Sequence, residues 1–323
     1  MTHRYGVIDI GTNSTRLMLA ETDQTQKIRV KDKKLITTRI GEGINDQNLT
    51  ITPEAMQRTI RALANFLAAC EQEEVDRVYA YATSAVRSAT NQAEFLEACR
   101  AQIGLSIDVV SGEMEALINF LGVLGPAGTG RVIDIGGGST ECITGQNGTI
   151  MLSGSMDMGA VRAAKMLPDT EEGYALVGKL LYESPMVMDE RKKNGQTIHT
   201  EGKKVKAFLH RFRKIQTPVY AVGGTATTIA ALASGLHRSY DARVVQGRSL
   251  TRDEIERVFH DIGSLSLEQR KAIPILYGRE DIICFGAALL YFLFDELDIT
   301  NVICSEHDNL DGYLRYQLQQ NHA

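Results

Sequence analysis

Ten residues are written twice in this chain. VIDIGTNSTR begins at Val7 and VIDIGGGSTE at Val132, identical at seven of ten positions. Each copy reads as an apolar strand ending in an acidic residue, a glycine-bearing polar turn and a second strand opened by Ser-Thr. A repeated apolar strand alone could be two ordinary hairpins. Repetition of the Asp and the Ser-Thr as well points to two related domains whose half-sites meet around one ligand.

The length of 323 residues suits about two domains. With 43% apolar and 23% charged residues the composition is that of a globular protein with a substantial core. No apolar run reaches the roughly 18 residues needed to span a membrane. The chain moves from Met-Thr-His-Arg-Tyr directly into a strand, which predicts no signal peptide and no membrane association. Five scattered cysteines, never in a CxxC pair, argue against a disulfide framework or a zinc site and for a reducing, cytoplasmic location. A net charge of −5 argues against general nucleic-acid binding. The stretch from Arg191 to Lys214 nevertheless carries nine Lys or Arg, among them Lys203, Lys204, Lys206, Arg211, Arg213 and Lys214. It reads either as a solvated helix face or as a landing strip for a polyanion.

Local signals place the remaining elements. Strands are expected at 5–10 and 16–21, and Thr52-Pro53 opens a helix whose Met56, Ile60, Leu63, Leu67 and Cys70 form one buried stripe. A strand at 77–82 leads to the loop TSAVRSATN, where Asn91 is expected to cap the next helix. A strand at 105–110 precedes a helix at 113–124, and GPAGTG at 125–130 is the clearest linker. The second half restarts with strands at 131–135, 141–144 and 149–153, then a mainly helical stretch. Strand 219–222 runs into GGTATT and a helix of small residues. Thr251-Arg-Asp-Glu254 forms a capping box, and an apolar helix at 282–297, a short strand and a final helix close the chain. The class is α/β, with domains at 1–125 and 126–323 and a terminal helix from about 307 expected to dock back on the first.

Glycine turns let backbone N–H groups approach a ligand, and Ser and Thr add hydroxyl donors, so phosphate is the natural partner of Gly11, Thr12, Asn13 and Ser14 and of Gly136, Gly137, Gly138, Ser139 and Thr140. Asp9 and Asp134 would repel phosphate unless a hard divalent cation such as Mg²⁺ lies between. A dinucleotide fingerprint would need a third glycine at Glu141 followed by a helix, where ECIT reads as strand. A GxxxxGK[ST] loop is absent.

The paired turns resemble the superfamily of actin, the sugar kinases and the heat-shock ATPases. Further motifs narrow the resemblance: ATSAVRSATN (82–91), SGEMEALINFLGV (111–123), DIGGGSTE (134–141), SMDMGAVR (155–162) and AVGGTATTIAAL (221–232), in that order. Together, from Tyr5 to about Leu314, they are similar to the exopolyphosphatase and guanosine pentaphosphate phosphohydrolase family in a short, two-domain form. Longer members add a helical HD-type module, and His307-Asp308 is a lone dipeptide. The resemblance implies two ribonuclease H-like (actin-like ATPase) domains, mixed sheets flanked by helices, and an active site in the interdomain cleft.

It also implies release of terminal phosphate from inorganic polyphosphate, with guanosine pentaphosphate (pppGpp) as a further substrate; without the longer members' extra module to extend a track for a polyanion, short chains are expected to be preferred. Glu115 matches the family's catalytic glutamate, with Glu113 beside it as a rival, because Glu113-Met114-Glu115 stands where consecutive acidic residues are usual. Arg87 matches a phosphate-facing arginine. Asp134 and Glu141, with Asp9, become the cation's carboxylates. Arg16 takes the place of Glu141 in the first copy and reaches either phosphate or a salt-bridge partner. Gly223, Gly224 and Thr225 match the superfamily's nucleoside-side loop, facing phosphate or the guanosine of an alarmone. A homodimer is expected from the resemblance alone. An actin-fold kinase or ATPase, and a phosphate- or alarmone-binding sensor without catalysis, are the competing classes.

Overall fold

Residues 2–23, 27–44, 48–192 and 195–320 are described by the computed structural model. They divide into two compact units, Met1–Ile118 with Asn309–Ala323, and Asn119–Asp308.

In the first unit the strands β1 (His3–Ile10), β2 (Thr15–Thr22), β3 (Ile28–Ile36), β4 (Arg77–Ala82) and β5 (Asp108–Val109) form a sheet in the order β3-β2-β1-β4-β5. The first three are an antiparallel meander, and β4 and β5 add on in parallel. Helix α1 (Pro53–Gln72) begins where its sequence signals place it, with the Thr52 hydroxyl accepting from the Ala55 N–H at 3.2 Å. Met56, Ile60, Leu63 and Cys70 are buried against Ile8, Leu17 and Leu19 of the sheet, with Leu67 at the margin. The other face, through Val7, Met18 and Tyr81, is covered by Leu310, Tyr313, Leu314 and Leu318 of the helix Asn309–Gln320. Each large apolar side chain buried there contributes roughly 1.5–3 kcal/mol, which ties the C-terminal helix to a sheet formed nearly 300 residues earlier.

Three local expectations need correction. TSAVRSATN contains a one-turn helix, α2 (Ser84–Arg87), before α3 (Gln92–Ile103). Asn91 occupies the N-cap position of α3 but caps nothing with its side chain. That amide accepts from the Ile51 N–H at 2.9 Å and donates to the Ile51 carbonyl at 3.0 Å, tying two loops together. The strand expected at 105–110 shrinks to β5, because only Asp108 and Val109 pair with β4.

The second unit carries β6 (Gly130–Ile135), β7 (Thr140–Gln146), β8 (Thr149–Met156), β9 (Met186–Arg191), β10 (Thr197–Gly202), β11 (Val219–Val222), β12 (Ser249–Thr251) and β13 (Asn301–Cys304). Their order is β10-β9-β8-β7-β6-β11-β13-β12. Again the first three strands are an antiparallel meander, and β11 joins β6 in parallel as β4 joins β1. The β9–β10 hairpin replaces part of the stretch read as mainly helical, with Lys193 of the basic stretch outside the described residues. Helix Ile283–Leu297 is the centre of the core, packed by Gly223–Ala233, Val205–Arg213 and Arg252–Gly263. The Thr251–Glu254 capping box is formed in both directions. All five cysteines are buried free thiols; burial pushes Cys70 up to about 11 and Cys99 and Cys304 to about 12, out of reach of thiolate chemistry. Among the described residues no helix is long and apolar enough to cross a membrane.

Candidate active site

Both copies of the repeat fold into the same strand–turn–strand. In the first, Asp9 pairs across from Arg16 and Ile10 from Thr15; in the second, Asp134 pairs across from Glu141 and Ile135 from Thr140. The Gly11 N–H donates to the Ser14 carbonyl at 3.1 Å, and the Gly136 N–H to the Ser139 carbonyl at 3.0 Å. Four residues close each turn with one backbone hydrogen bond, so the glycine opening each turn sits at the same place relative to its acidic strand end.

In the first unit the segment Arg39–Gly41 braces the turn, with the Arg39 N–H on the Asn13 carbonyl at 2.7 Å and the Gly41 N–H on the Thr12 carbonyl at 3.0 Å. Arg39 adopts φ 49°, a left-handed conformation that a non-glycine residue holds only under restraint. Asp9 is buried, and its Oδ2 accepts from Arg16 Nε at 3.0 Å and again from Arg16 Nη2. The same Nη2 donates to Asn309 Oδ1. Arg16 is thus ion-paired with Asp9 within this unit.

The parallel strands β1, β4 and β5 deliver the other candidates from their carboxyl ends, the edge at which open α/β sheets present functional groups. Asp9 ends β1, Arg87 closes the turn of α2 after β4, and Glu115 lies in the first turn of helix α4 (Gly112–Leu124) after β5. The Ser111 hydroxyl caps α4 by accepting from the Met114 N–H at 3.1 Å. Arg87 Nη1 donates to Glu115 Oε2 at 2.8 Å and to the Val110 carbonyl at 3.0 Å. The two glutamates differ in setting: Glu115 is buried beside this guanidinium, whereas Glu113 is exposed.

In the second unit the GGGS turn is held by the SMDMGAVR segment. The N–H groups of Ala160 and Val161 donate to the carbonyls of Gly136 and Gly137, both at 2.9 Å. A Cβ on Gly159 would lie 2.5 Å from the Gly136 oxygen, so this close approach requires glycine. The Thr140 hydroxyl is spent internally on the Met158 carbonyl at 2.6 Å, and the Thr225 hydroxyl on the Ile135 carbonyl at 3.1 Å. Gly223, at φ 78°, starts the helix Gly223–Ala233 against the Asp134 carboxylate, and Arg279 Nη1 donates to the Gly224 carbonyl at 2.9 Å.

Asp134 and Glu141, opposite each other on β6 and β7, present their side chains on one face of the sheet. They are 9% and 1% exposed. Asn119 Nδ2 donates to Asp134 Oδ2 at 3.0 Å, and the Ser155 hydroxyl to Glu141 Oε1 at 2.7 Å. Two buried carboxylates side by side repel one another, and their all-oxygen donor set suits a hard divalent cation, so the residues present fit such an ion. Asn119, Ser155, Arg279 and Asn309 are the partners that pattern reading missed. Two of them left a sequence signal: Asn119 is the single polar residue within ALINFLGVL, and Ser155 opens the SMDMGAVR motif.

A family model described as the Ppx/GppA phosphatase family matches residues 22–320. The chain belongs to the Ppx/GppA phosphatase family. It is similar to "Exopolyphosphatase 2" of Mycobacterium tuberculosis, 28% identical over 96% of this chain and 97% of that one. It is 30% identical, over 94% of its own length, to a "Bifunctional 3-dehydroquinate synthase/phosphatase" of Fusobacterium nucleatum, of which it spans only 45%. Among solved structures, the Ppx/GppA family member of Aquifex aeolicus superposes with a TM-score of 0.76 at 25% identity, covering both chains fully. The family assignment makes this chain a phosphatase and accounts for its architecture, two related mixed sheets of actin-like type flanked by helices.

Proposed function

We propose that this chain hydrolyses the terminal phosphoanhydride bond of inorganic polyphosphate, with guanosine pentaphosphate as a second substrate of the same chemistry. The observation that carries the reading is the buried Asp134–Glu141 pair beside a glycine turn, an arrangement that calls for a cation and a phosphate together. The names of relatives that match nearly end to end support polyphosphate as the substrate.

Hydrolysis at a terminal phosphoryl group asks a protein for positioning, charge neutralisation and an oriented water. The N–H groups of the two glycine turns and the Arg87 guanidinium hold phosphate oxygens. Glu115 takes the proton of the attacking water, and the start of α4 favours its charged form. Arg87 fixes that carboxylate through the 2.8 Å contact. Asp134 and Glu141 hold a divalent cation, which when bound would supply charge neutralisation to the phosphate chain.

Phosphate release from polyphosphate, guanosine pentaphosphate and ATP, measured side by side with Mg²⁺ and with excess chelator, tests this. Release from polyphosphate that stops in chelator is expected, and Glu115→Gln should lower kcat by ~10²–10⁴ with KM little changed. Binding without release would make the chain a sensor, and phosphoryl transfer to an acceptor would make it a kinase. Loss of turnover in Glu113→Gln but not in Glu115→Gln would overturn the choice of base.

A further inference from the structure

Asn119 is fully buried in the most apolar part of α4, between Ile118 and Phe120, which are themselves completely inaccessible. A primary amide in such a place normally has both ends satisfied or gives way to an apolar residue of similar size. Asn119 instead directs its Nδ2 at Asp134 Oδ2, 3.0 Å away, and its buried Oδ1 finds no hydrogen-bond partner among the described residues.

Asp134 is confined from a second direction. A Cβ on Gly223 would stand 2.4 Å from Asp134 Oδ1, so one carboxylate oxygen lies against the glycine backbone and the other under the amide. Glu141, across the strand, is oriented in the same manner by the Ser155 hydroxyl. An amide or a hydroxyl orients a carboxylate without neutralising it. Such donors hold a carboxylate in the orientation a cation needs.

We propose that Asn119 is a positioning residue for the cation site, resting on the reading that Asp134 and Glu141 hold a divalent ion. Its Nδ2 locks the carboxylate plane of Asp134.

The test is Mn²⁺ binding to the full chain without substrate, read from loss of the free-ion electron paramagnetic resonance signal. Wild type, Asp134→Asn and Asn119→Leu are compared, with thermal unfolding of each in chelator. Asn119→Leu should weaken Mn²⁺ binding by ~10–100-fold while its metal-free melting temperature holds or rises, and Asp134→Asn should bind Mn²⁺ weaker still. Asn119→Ser, whose hydroxyl is too short to reach, asks the same question should the leucine variant not fold. If Asn119→Leu or Asn119→Ser binds Mn²⁺ like wild type while Asp134→Asn does not, Asn119 is structural only and the proposal falls, leaving the cation reading intact. If Asp134→Asn binds like wild type, the cation reading fails and takes this proposal with it.

Discussion

Removing the Arg87 guanidinium should destabilise the chain by an amount that a second substitution gives back. The Glu115 side chain is 8% exposed, and that of Arg87, whose Nη1 lies 2.8 Å from Oε2, is 25% exposed. Arg87→Met keeps the stem and leaves a buried carboxylate without this cation. Breaking one side of a buried ion pair costs about 3–5 kcal/mol, and the partial exposure of Arg87 places this pair at the lower end, about 3 kcal/mol. The melting temperature should fall by roughly 6–12 °C. Glu115→Gln in the same chain removes the stranded charge, so the double variant should be more stable than Arg87→Met alone by at least ~1 kcal/mol. The assay is urea unfolding of wild type, both single variants and the double variant at constant m-value. The coupling should persist between low and moderate salt, because a buried pair is weakly screened. Turnover cannot replace this cycle, since all three variants are expected to be slow. Single-variant losses that add to within 0.5 kcal/mol would refute the argument, for then Glu115 would not be sensing the guanidinium beside it.

Two further outcomes are expected. The hydrogen bond from Arg248 holds the Glu254 carboxyl down at about 2, against an ordinary 4.5, a drop worth on the order of 3 kcal/mol. That stability is present above pH ~4.5 and disappears as the pH falls toward 2, so Glu254→Gln should be destabilised at pH 7 and match wild type near pH 2 in urea midpoints; a gap constant with pH would contradict it. Long-chain polyphosphate should be cleaved distributively and short chains preferred, because Arg211 and Arg213 of the basic stretch are ion-paired with Glu190 and Asp298 and offer a distant polyanion little grip. Partial digests should give a descending smear on a gel, and a persistent full-length band beside free phosphate would refute this.

The parts of the fold that were legible are those in which side-chain chemistry repeats with the backbone period. The α1 stripe, the Thr251–Glu254 box and both VIDIG strands were plain because burial on one face imposes spacing. Strand β3 was invisible: IRVKDKKLI sits at a sheet edge with Arg29–Leu35 exposed, so no burial face writes an alternation into it. The β9–β10 hairpin was hidden for the same reason, β10 being an edge strand of the second unit's sheet and almost wholly exposed. At the candidate site the motif residues were readable, but their partners were not. Nothing in the sequence says that the Thr140 and Thr225 hydroxyls turn inward to carbonyls, or that Asn119 and Ser155 address the carboxylates of Asp134 and Glu141. Those facts depend on which segments the sheet brings side by side.

The difference between the two copies carries more meaning than their identity. Register and turn are the same, so position 16 stands to Asp9 as position 141 stands to Asp134. One copy has Arg there and the other Glu. In the first, the guanidinium pairs with Asp9 Oδ2 within the protein, and the turn keeps a net charge compatible with phosphate. In the second, two buried carboxylates face the same side of the sheet, and a neutral donor holds an oxygen of each. A single inversion of charge at one strand position therefore distinguishes the two copies of a duplicated element. Under the proposed function, the first copy would hold phosphate by itself and the second would hold it through a cation.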